Sequence, residues 1–281
     1  MNNNKIVNVF LFRAAPYENF GEYLCKKILD EMNVKCKHYS QANPPPNNIG
    51  HIMTGIGGFL NNNIYSSFFG DRINKWYVWG SGVECQPILG QTELPDKVLK
   101  EKCVISMLRG PMTKDYYNIK DDILLADPGY LASYFFKFPK EEKKSIFIQF
   151  YYDKIPTVIP DVDVHLTTLL KPKQGTFDLD FFEILKNISN ASIVLTGSMH
   201  VAITAHSYGV PWAIVAKEHV DASKEWKWQD TTACMGLDKE DLKICTGPED
   251  GLIWYNSVKD KFKPVTLDYQ NEIIRVFPFN D

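Results

Sequence analysis

Short apolar runs of strand length recur along the first half of the chain, separated by helical or glycine-rich segments. The first run, residues 6–12, is almost continuously apolar, which is typical of strands buried on both faces of a parallel sheet. After a polar loop, residues 19–32 carry apolar side chains at helical spacing. Further strand-like runs lie at residues 49–53, 76–79, 103–107 and 123–126, and residues 111–117 have a helical pattern. Alternating strand and helix signals predict a parallel α/β sheet.

The same pattern restarts after a charged segment at residues 141–144. Strand-like runs follow at residues 145–150, 191–196 and 211–216, with helical patterns at residues 178–187 and 199–208. We therefore predict two α/β halves, residues 1–140 and residues 141–281, with a C-terminal tail that could pack back on the N-terminal half. Open α/β sheets bind ligands at the carboxyl ends of their strands, so a cleft between the halves is the expected site.

The composition is that of a globular protein, and it narrows the class of partner. Hydrophobic residues make up 44% and charged residues 23% of the 281, and no run of about 18 apolar residues occurs. We expect no transmembrane helix, and residues 6–13 are too short a run for a signal peptide, which favours a cytoplasmic location. A net charge of −3 argues against nucleic acid as the main partner. The six cysteines include no CxxC pair and no zinc spacing, so we expect reduced thiols and no metal site.

Two glycine-rich turns follow strand-like runs, at residues 54–58 and 79–82. Glycines let backbone N–H groups approach an anion closely, so Gly80, Ser81 and Gly82 are candidates to line the cleft. The first turn matches the dinucleotide-binding fingerprint poorly, because leucine stands where the third glycine belongs.

Arg109 is one of only four arginines among 31 basic residues, and it ends a strand-like run. Gly110 then turns the chain, and Pro111 suits the first turn of the next helix. This arrangement is expected to direct Arg109 toward the carboxyl-end edge of the sheet. A planar two-point contact with carboxylate or phosphate is the predicted role, and an ion pair with Asp127 is the structural alternative. Asp127 ends a neighbouring strand before Pro128, so turn formation and helix capping are alternatives to a catalytic role for this carboxylate.

A third strand-to-helix turn reads Thr-Gly-Ser-Met-His at residues 196–200. Ser198 can cap a helix whose first turn carries His200, and a helix N-terminus favours anions and offers free N–H donors. His200 and His206 are six residues apart, so they do not form the i, i+4 pair of a zinc site. Because His200 stands at this strand-to-helix turn, we favour a functional role over that of a core histidine with all its hydrogen bonds made inside the protein.

Seven segments in one order carry a family resemblance. They are residues 19–24 (Asn-Phe-Gly-Glu-Tyr-Leu), 79–82 (Trp-Gly-Ser-Gly), 108–113 (Leu-Arg-Gly-Pro-Met-Thr), 126–129 (Ala-Asp-Pro-Gly), 158–163, 196–212 and 226–230 (Trp-Lys-Trp-Gln-Asp). Jointly they resemble the polysaccharide pyruvyl transferase family, particularly its branch that acts on succinoglycan-type exopolysaccharides.

The resemblance implies an activity and an architecture. Members are similar to two-domain GT-B glycosyltransferases, with two Rossmann-like halves facing across a cleft. They move the enolpyruvyl carbons of phosphoenolpyruvate onto two hydroxyls of a hexose, which forms a cyclic ketal and releases phosphate, and no cofactor is expected. A hexose on a lipid-linked oligosaccharide is the implied acceptor, which would bring the enzyme to the inner face of the cytoplasmic membrane as a peripheral protein.

The resemblance also implies roles for individual residues. His200 is the expected general acid, because an unperturbed histidine pKa lies near working pH, and Glu22 and Asp127 are candidates to take the hydroxyl proton. Substrate binding is expected at Arg109, Asn19, Gly21, Gly80, Ser81, Gly82, Ser198 and Met199, and aromatic candidates to face the sugar are Tyr151, Tyr152, Trp226 and Trp228. Where many relatives have arginine and aspartate, this chain has Ser198 and Glu22. A nucleotide-sugar glycosyltransferase and a non-catalytic saccharide-binding assembly subunit remain the alternative functions.

Overall fold

Parallel strands flanked by helices make up the part of the chain that the computed structural model describes, residues 6–14, 17–83, 93–149, 159, 161–215 and 222–280. The strands are β1 (Val7–Phe10), β2 (Arg13–Ala14), β3 (Tyr17–Asn19), β4 (Cys36–Tyr39), β5 (Gly50–Thr54), β6 (Ile73–Trp79), β7 (Cys103–Leu108), β8 (Leu124–Leu125), β9 (Lys144–Gln149), β10 (Val164–Thr167), β11 (Leu169–Leu170), β12 (Ala191–Thr196) and β13 (Trp212–Ile214). The helices are α1 (Phe20–Glu31), α2 (Asn62–Ile64), α3 (Asp96–Glu101), α4 (Pro111–Tyr116), α5 (Ala132–Phe135), α6 (Asp178–Ser189), α7 (Met199–Ser207), α8 (Ala222–Cys234), α9 (Pro248–Val258) and α10 (Leu267–Arg275).

Two parallel sheets form the framework. The first has six strands in the order β4-β1-β5-β6-β7-β8, and the second has four in the order β10-β9-β12-β13. The predicted parallel α/β class is confirmed. The apolar pattern also located the main elements, since β12 and α7 begin at the predicted residues. Of the strand predicted at residues 211–216, the structure describes residues 211–215, and within these β13 covers Trp212–Ile214.

A small antiparallel sheet, β11-β3-β2, connects the two regions of the chain. Leu169, which follows the second sheet's β10, pairs with Asn19, and Phe20 N–H donates to the Thr168 carbonyl at 3.0 Å. The start of α1 is therefore held by backbone bonds to a segment about 150 residues away in sequence.

The larger of two clusters of buried apolar residues extends across both parallel sheets. It contains Leu24 and Ile28 from α1, Ile203 from α7 and Leu195 from β12, all fully buried. A second cluster, around Trp76, covers the other face of the larger sheet. The two sheets are therefore joined by shared packing.

The C-terminal helix α10 packs against the larger sheet. The buried Trp79 indole donates to the Ile273 carbonyl at 3.1 Å, and its ring lies 5.0 Å from that of Phe277. Tyr269 donates from its hydroxyl to the Leu125 carbonyl at 2.8 Å. These contacts bring residues of the C-terminal segment onto the strands that end at the site described below.

Replacing Trp79 with Phe should loosen α10 in particular. The change leaves the Ile273 carbonyl without its buried donor and removes part of a packed ring, so we expect a loss of about 1–3 kcal/mol in unfolding free energy. Hydrogen exchange should accelerate in α10 more than in β5 or β12. Trp254→Phe is the matched control, because that indole donates to the Asp241 carbonyl at 2.7 Å, away from α10. Equal acceleration of α10 in both variants would contradict the prediction.

Candidate active site

Arg109 lies directly after β7 and is 1% exposed. Its Nε and Nη2 atoms lie 3.3 and 3.2 Å from Oδ2 of Asp230, and Nη2 also donates to the Val83 carbonyl at 2.5 Å. The guanidinium is thus held in a buried ion pair with a carboxylate that is itself fully buried. Nε and Nη2 therefore share one oxygen of Asp230, and Asp127, the partner in the structural alternative, is not bonded to the guanidinium. The two-point contact of Arg109 with a substrate carboxylate or phosphate stays a prediction.

Asp230 is the residue that sequence reasoning missed. Its Oδ1 accepts from the Thr113 backbone N–H at 3.0 Å, and its Oδ2 accepts from the Thr113 hydroxyl at 2.7 Å. A Cβ at Gly110 would lie 2.0 Å from the Asp230 carbonyl oxygen, so glycine is required where α8 crosses this turn. Segment 226–230 was part of the family resemblance, but nothing local to it indicates a partner 121 residues away.

Asp127 ends the neighbouring strand and is fully buried. Its Oδ1 accepts from Gly129 N–H at 2.7 Å, which caps the short 3₁₀ segment Pro128–Leu131. The capping alternative is therefore confirmed for one carboxylate oxygen. The other oxygen, Oδ2, lies 3.8 Å from Nε2 of His200, too far for a hydrogen bond.

His200 lies in the first turn of α7, and its side chain is 13% exposed. The ring packs on Gly21 so closely that a Cβ there would lie 2.3 Å from His200 Nδ1. Asn19 is the N-cap of α1, with its Oδ1 accepting from Gly21 N–H at 2.9 Å. Glu22 follows in the first turn of α1 and is 6% exposed. The Asn-Phe-Gly-Glu segment therefore brings the start of α1 against His200.

Burial changes the protonation of the two facing groups in opposite directions. Loss of solvent raises the pKa of Asp127 to about 7, although its bond from Gly129 and the charge of Arg109 act against the rise. Loss of solvent, followed by the charges of Lys227 and Arg109, lowers the pKa of His200 to about 3. The expectation of an unperturbed histidine is thus wrong for the free site, where His200 is neutral and Asp127 can hold a proton near pH 7.

The glycine-rich turn after β6 shapes the site around Arg109. Gly80 has a φ of +92°, which favours glycine, and a Cβ there would lie 2.4 Å from Pro128 Cδ. A Cβ at Gly82 would lie 2.8 Å from Arg109 Cζ. The buried Ser81 hydroxyl donates to a backbone carbonyl, that of Gly55, at 2.6 Å. Substrate contact by these three residues stays a prediction.

At the turn before α7, Ser198 takes the N-cap position but makes no side-chain capping bond. Instead its backbone N–H donates to Thr196 Oγ1 at 2.9 Å, so Thr196 organises the turn. Met199 is buried, and its sulfur accepts from the Thr231 hydroxyl at 2.9 Å. Met199 therefore packs against α8 in the described structure.

The aromatic candidates separate into different environments. Trp228 is 4% exposed and stacks at 6.2 Å on Trp212, so it belongs to the core. Trp226 is half-buried against the cluster around Trp76. Tyr151 and Tyr152 lie outside the described residues.

Three buried polar atoms at the carboxyl ends of the strands have no hydrogen-bond partner among the described residues. They are Nη1 of Arg109, Oδ2 of Asp127 and Nε2 of His200. Arg109 acts electrostatically on both of the others, and those two lie 3.8 Å apart. Leaving such atoms unmatched costs about 1–3 kcal/mol each, which is typical of a site that completes its bonds with a ligand.

Among the residues that the structure describes, no group of three or more His, Cys, Asp or Glu side chains is arranged to hold a metal ion. No helix there is long and apolar enough to cross a membrane.

The fold and the site define an α/β protein built on parallel sheets, with a buried Arg–Asp–His cluster at the strand ends. The family model described as polysaccharide pyruvyl transferase matches residues 16–219, and the chain belongs to this family. It is 23% identical over 189 residues to the succinoglycan biosynthesis protein ExoV of Rhizobium meliloti (strain 1021). That match covers 66% of this chain and 54% of ExoV, so the chain spans about half the length of this relative.

Two solved structures are similar at low identity. One is a functionally uncharacterized protein of Klebsiella pneumoniae subsp. pneumoniae NTUH-K2044, with a TM-score of 0.46 and 15% identity, covering 80% of this chain and 87% of that chain. The other is a variant of the wall teichoic acid polymerase TagF, with a TM-score of 0.42 and 10% identity, covering 99% of this chain and 84% of that chain.

Replacing Asp230 with Asn should destabilise the protein strongly. Donors face both carboxylate oxygens, so either orientation of the amide sets its NH₂ group against a donor and leaves Arg109 without a counter-charge. Removing one partner of a buried ion pair costs about 3–5 kcal/mol, and urea unfolding of the variant should show a loss of that size. Asp96→Asn is the control, because its pair with Lys100 is exposed and should leave the midpoint nearly unchanged. A loss below about 1 kcal/mol for Asp230→Asn would show that the pair does not hold the structure.

Replacing Asp127 with Asn should remove a pH dependence of stability. Because the folded pKa is raised from 3.8 to about 7, the folded state binds this proton more tightly than the unfolded state does. The wild-type unfolding free energy should therefore fall, relative to that of Asp127→Asn, as pH rises from about 4 to 7, and the difference should level off above that window. The asparagine Oδ1 can still cap Gly129. A difference that stays constant across the window would show that Asp127 is ionised throughout.

Proposed function

We propose that this protein transfers the enolpyruvyl carbons of phosphoenolpyruvate to two hydroxyls of a hexose in a polysaccharide repeat unit. Membership of the polysaccharide pyruvyl transferase family supports the class of reaction. The observation that carries the proposal is the set of three unmatched buried atoms on Arg109, Asp127 and His200. The guanidinium of Arg109 can bind an anion, and the imidazole of His200 and the carboxyl of Asp127 can exchange a proton. These are the two requirements of the proposed reaction.

The proposed reaction balances without a further reactant. A proton adds to the methylene carbon of phosphoenolpyruvate, which becomes a methyl group, and the adjacent carbon becomes cationic. One hydroxyl oxygen bonds to that carbon and loses its proton, and the C–O bond to phosphate breaks. The second hydroxyl then bonds to the same carbon and loses its proton. One of the two hydroxyl protons restores the protein acid that protonated the methylene carbon, and the other leaves with the phosphate.

The opposite pKa shifts at His200 and Asp127 fit this sequence of proton transfers. In the free site Asp127 holds the proton near neutral pH, and His200 is neutral. A bound phosphate and carboxylate bring negative charge, which stabilises an imidazolium and raises the pKa of His200. Oδ2 and Nε2 are 3.8 Å apart in the free site, so they must first close to hydrogen-bond distance in the substrate complex. The proton then passes from Oδ2 to Nε2 and is delivered to the methylene carbon. Asp127, left as a carboxylate, takes the proton of the attacking hydroxyl, and Glu22 is the second candidate for that role.

The finer architecture and the acceptor belong to the same proposal. Residues 1–140 and 141–281 would form two Rossmann-like halves of GT-B type, each contributing strand ends to the site, with Arg109 and Asp127 from the first and His200 from the second. The shared core and the small sheet β11-β3-β2 support a close approach of the halves. The acceptor hexose would be carried on a lipid-linked oligosaccharide, which would place the protein at the membrane surface.

The proposal is tested on His200 with a phosphate-release assay, using phosphoenolpyruvate and a panel of hexosides. His200→Ala should lower kcat by roughly 10²–10⁴-fold, the usual contribution of a positioned acid. His200→Asn should be nearly as slow, because the asparagine amide can form hydrogen bonds but cannot act as an acid near neutral pH. His165→Ala, at an exposed position of β10, should leave kcat unchanged.

Thermal melts of the same variants separate the other outcomes. If Asn restores most of the rate, His200 holds an anion and the acid is another group. If both variants of His200 unfold, the residue is structural. Release of no phosphate by the wild type on any acceptor would overturn the proposed function.

A further inference from the structure

Arg109 uses two of its three guanidinium nitrogens inside the protein. Nε and Nη2 both bond to Oδ2 of Asp230, and Nη2 also donates to the Val83 carbonyl. A forked contact with a carboxylate or phosphate would use Nη2 together with either Nε or Nη1. Because Nη2 is already engaged by two acceptors, the nitrogen left for a ligand is Nη1, which is buried and has no partner among the described residues.

The hydroxyl of Thr113 closes a ring of hydrogen bonds around this guanidinium. It donates to Oδ2 of Asp230 at 2.7 Å and accepts from the Val83 backbone N–H at 3.3 Å, so both functions of the hydroxyl are used. Val83 returns to the guanidinium through its carbonyl, which accepts from Nη2 at 2.5 Å. Thr113 is fully buried, and water therefore cannot take the place of its hydroxyl in either bond.

This ring joins three separate segments around the guanidinium. Thr113 lies in α4, Val83 follows the glycine-rich turn after β6, and Asp230 lies in α8. Gly82 covers one face of the group, since a Cβ there would lie 2.8 Å from Arg109 Cζ. Turning the guanidinium to offer a fork would break bonds of buried groups that have no water to replace them. The protein therefore fixes the orientation of Arg109 before a ligand arrives.

We infer that Thr113 is a positioning residue, and that its hydroxyl holds Asp230 and Val83 in the arrangement that leaves Nη1 of Arg109 to an anionic group of the donor. This inference rests on the proposed function. It adds the atom of Arg109 that binds the donor and the residue that selects this atom. The anionic group is then held through one nitrogen, in place of the two that a forked contact would use.

The hydroxyl does what the ion pair cannot do by itself. Without it, Asp230 would still attract the guanidinium, but the Val83 N–H would lose its acceptor and the glycine-rich turn would lose its bond to α4. The Val83 carbonyl would then be free to move away from Nη2. Arg109 would keep its charge and lose its fixed geometry, so we expect weaker binding of the donor without loss of the fold.

Calorimetric binding of phosphoenolpyruvate to the full chain tests the inference without turnover. Thr113→Val keeps the shape of the side chain and removes the hydroxyl, and it should raise Kd about 2- to 10-fold, the range for one net hydrogen bond. Thr113→Ser keeps the hydroxyl and should bind as the wild type does. Thr232→Val is the matched control, because that buried hydroxyl bonds within α8 to the Trp228 carbonyl at 2.8 Å, and it should leave Kd unchanged.

The Nε–H signal of Arg109, followed by NMR, reports on the guanidinium directly. It is one of four such signals in the chain and is identified by its loss in Arg109→Lys. In the wild type it should exchange with water more slowly than that of Arg275, whose side chain is 70% exposed. Thr113→Val should accelerate this exchange, and Thr113→Ser and Thr232→Val should not. A role in stability alone would lower the melting temperature without this pattern.

The outcomes separate the inference from the proposed function. If the wild type binds phosphoenolpyruvate and Thr113→Val binds it equally well, or if Thr232→Val weakens binding as much, the inference is overturned and the proposed function stands. If Thr113→Val does not fold, slow exchange in the wild type with full binding by Thr113→Ser supports the inference, and failure of either overturns it. If the wild type neither binds nor consumes phosphoenolpyruvate, the proposed function is overturned and the inference with it.

Discussion

The buried ion pair of Arg109 and Asp230 is the contact on which the site depends. Moving two charges out of water costs several kcal/mol per ion, and only excellent geometry offsets that cost. Here Asp230 accepts from the guanidinium, from the Thr113 backbone and from the Thr113 hydroxyl, so each carboxylate oxygen has at least one donor. The pair fixes α8 to the end of β7 and the start of α4. Gly110 and Gly82 are glycines because α8 and the guanidinium leave no space for a Cβ.

The same pair makes the site a product of distant segments. Arg109 and Asp127 come from neighbouring strand ends of the six-stranded sheet. His200 lies in α7, which follows β12 of the four-stranded sheet, and Asp230 lies in a helix later in the chain. The shared core and the pairing of β3 with β11 hold these parts together. A change that shifts one sheet relative to the other therefore alters the distances among all of the polar groups.

Exclusion of water gives the polar groups their chemistry. The same burial that raises the pKa of Asp127 lowers that of His200, because in each case the charged form loses solvation. The free site therefore holds its proton on the carboxyl. In the proposed mechanism an arriving anion would reverse this preference. Under the proposed function, binding of the donor and delivery of its proton are coupled by one electrostatic effect.

Local sequence determined the elements and the positions of the candidate residues along them. Apolar runs and glycine or proline turns were sufficient to predict that Arg109, Asp127 and His200 stand at strand ends, because a strand's carboxyl end is defined by the residues next to it. Tertiary structure alone decided their partners. Asp230 reaches Arg109 only because α8 crosses the turn at Gly110, and Trp228 is a core residue only because Trp212 lies against it. The pKa values of Asp127 and His200 likewise depend on solvent excluded by segments far away in the chain, and no local pattern encodes that exclusion.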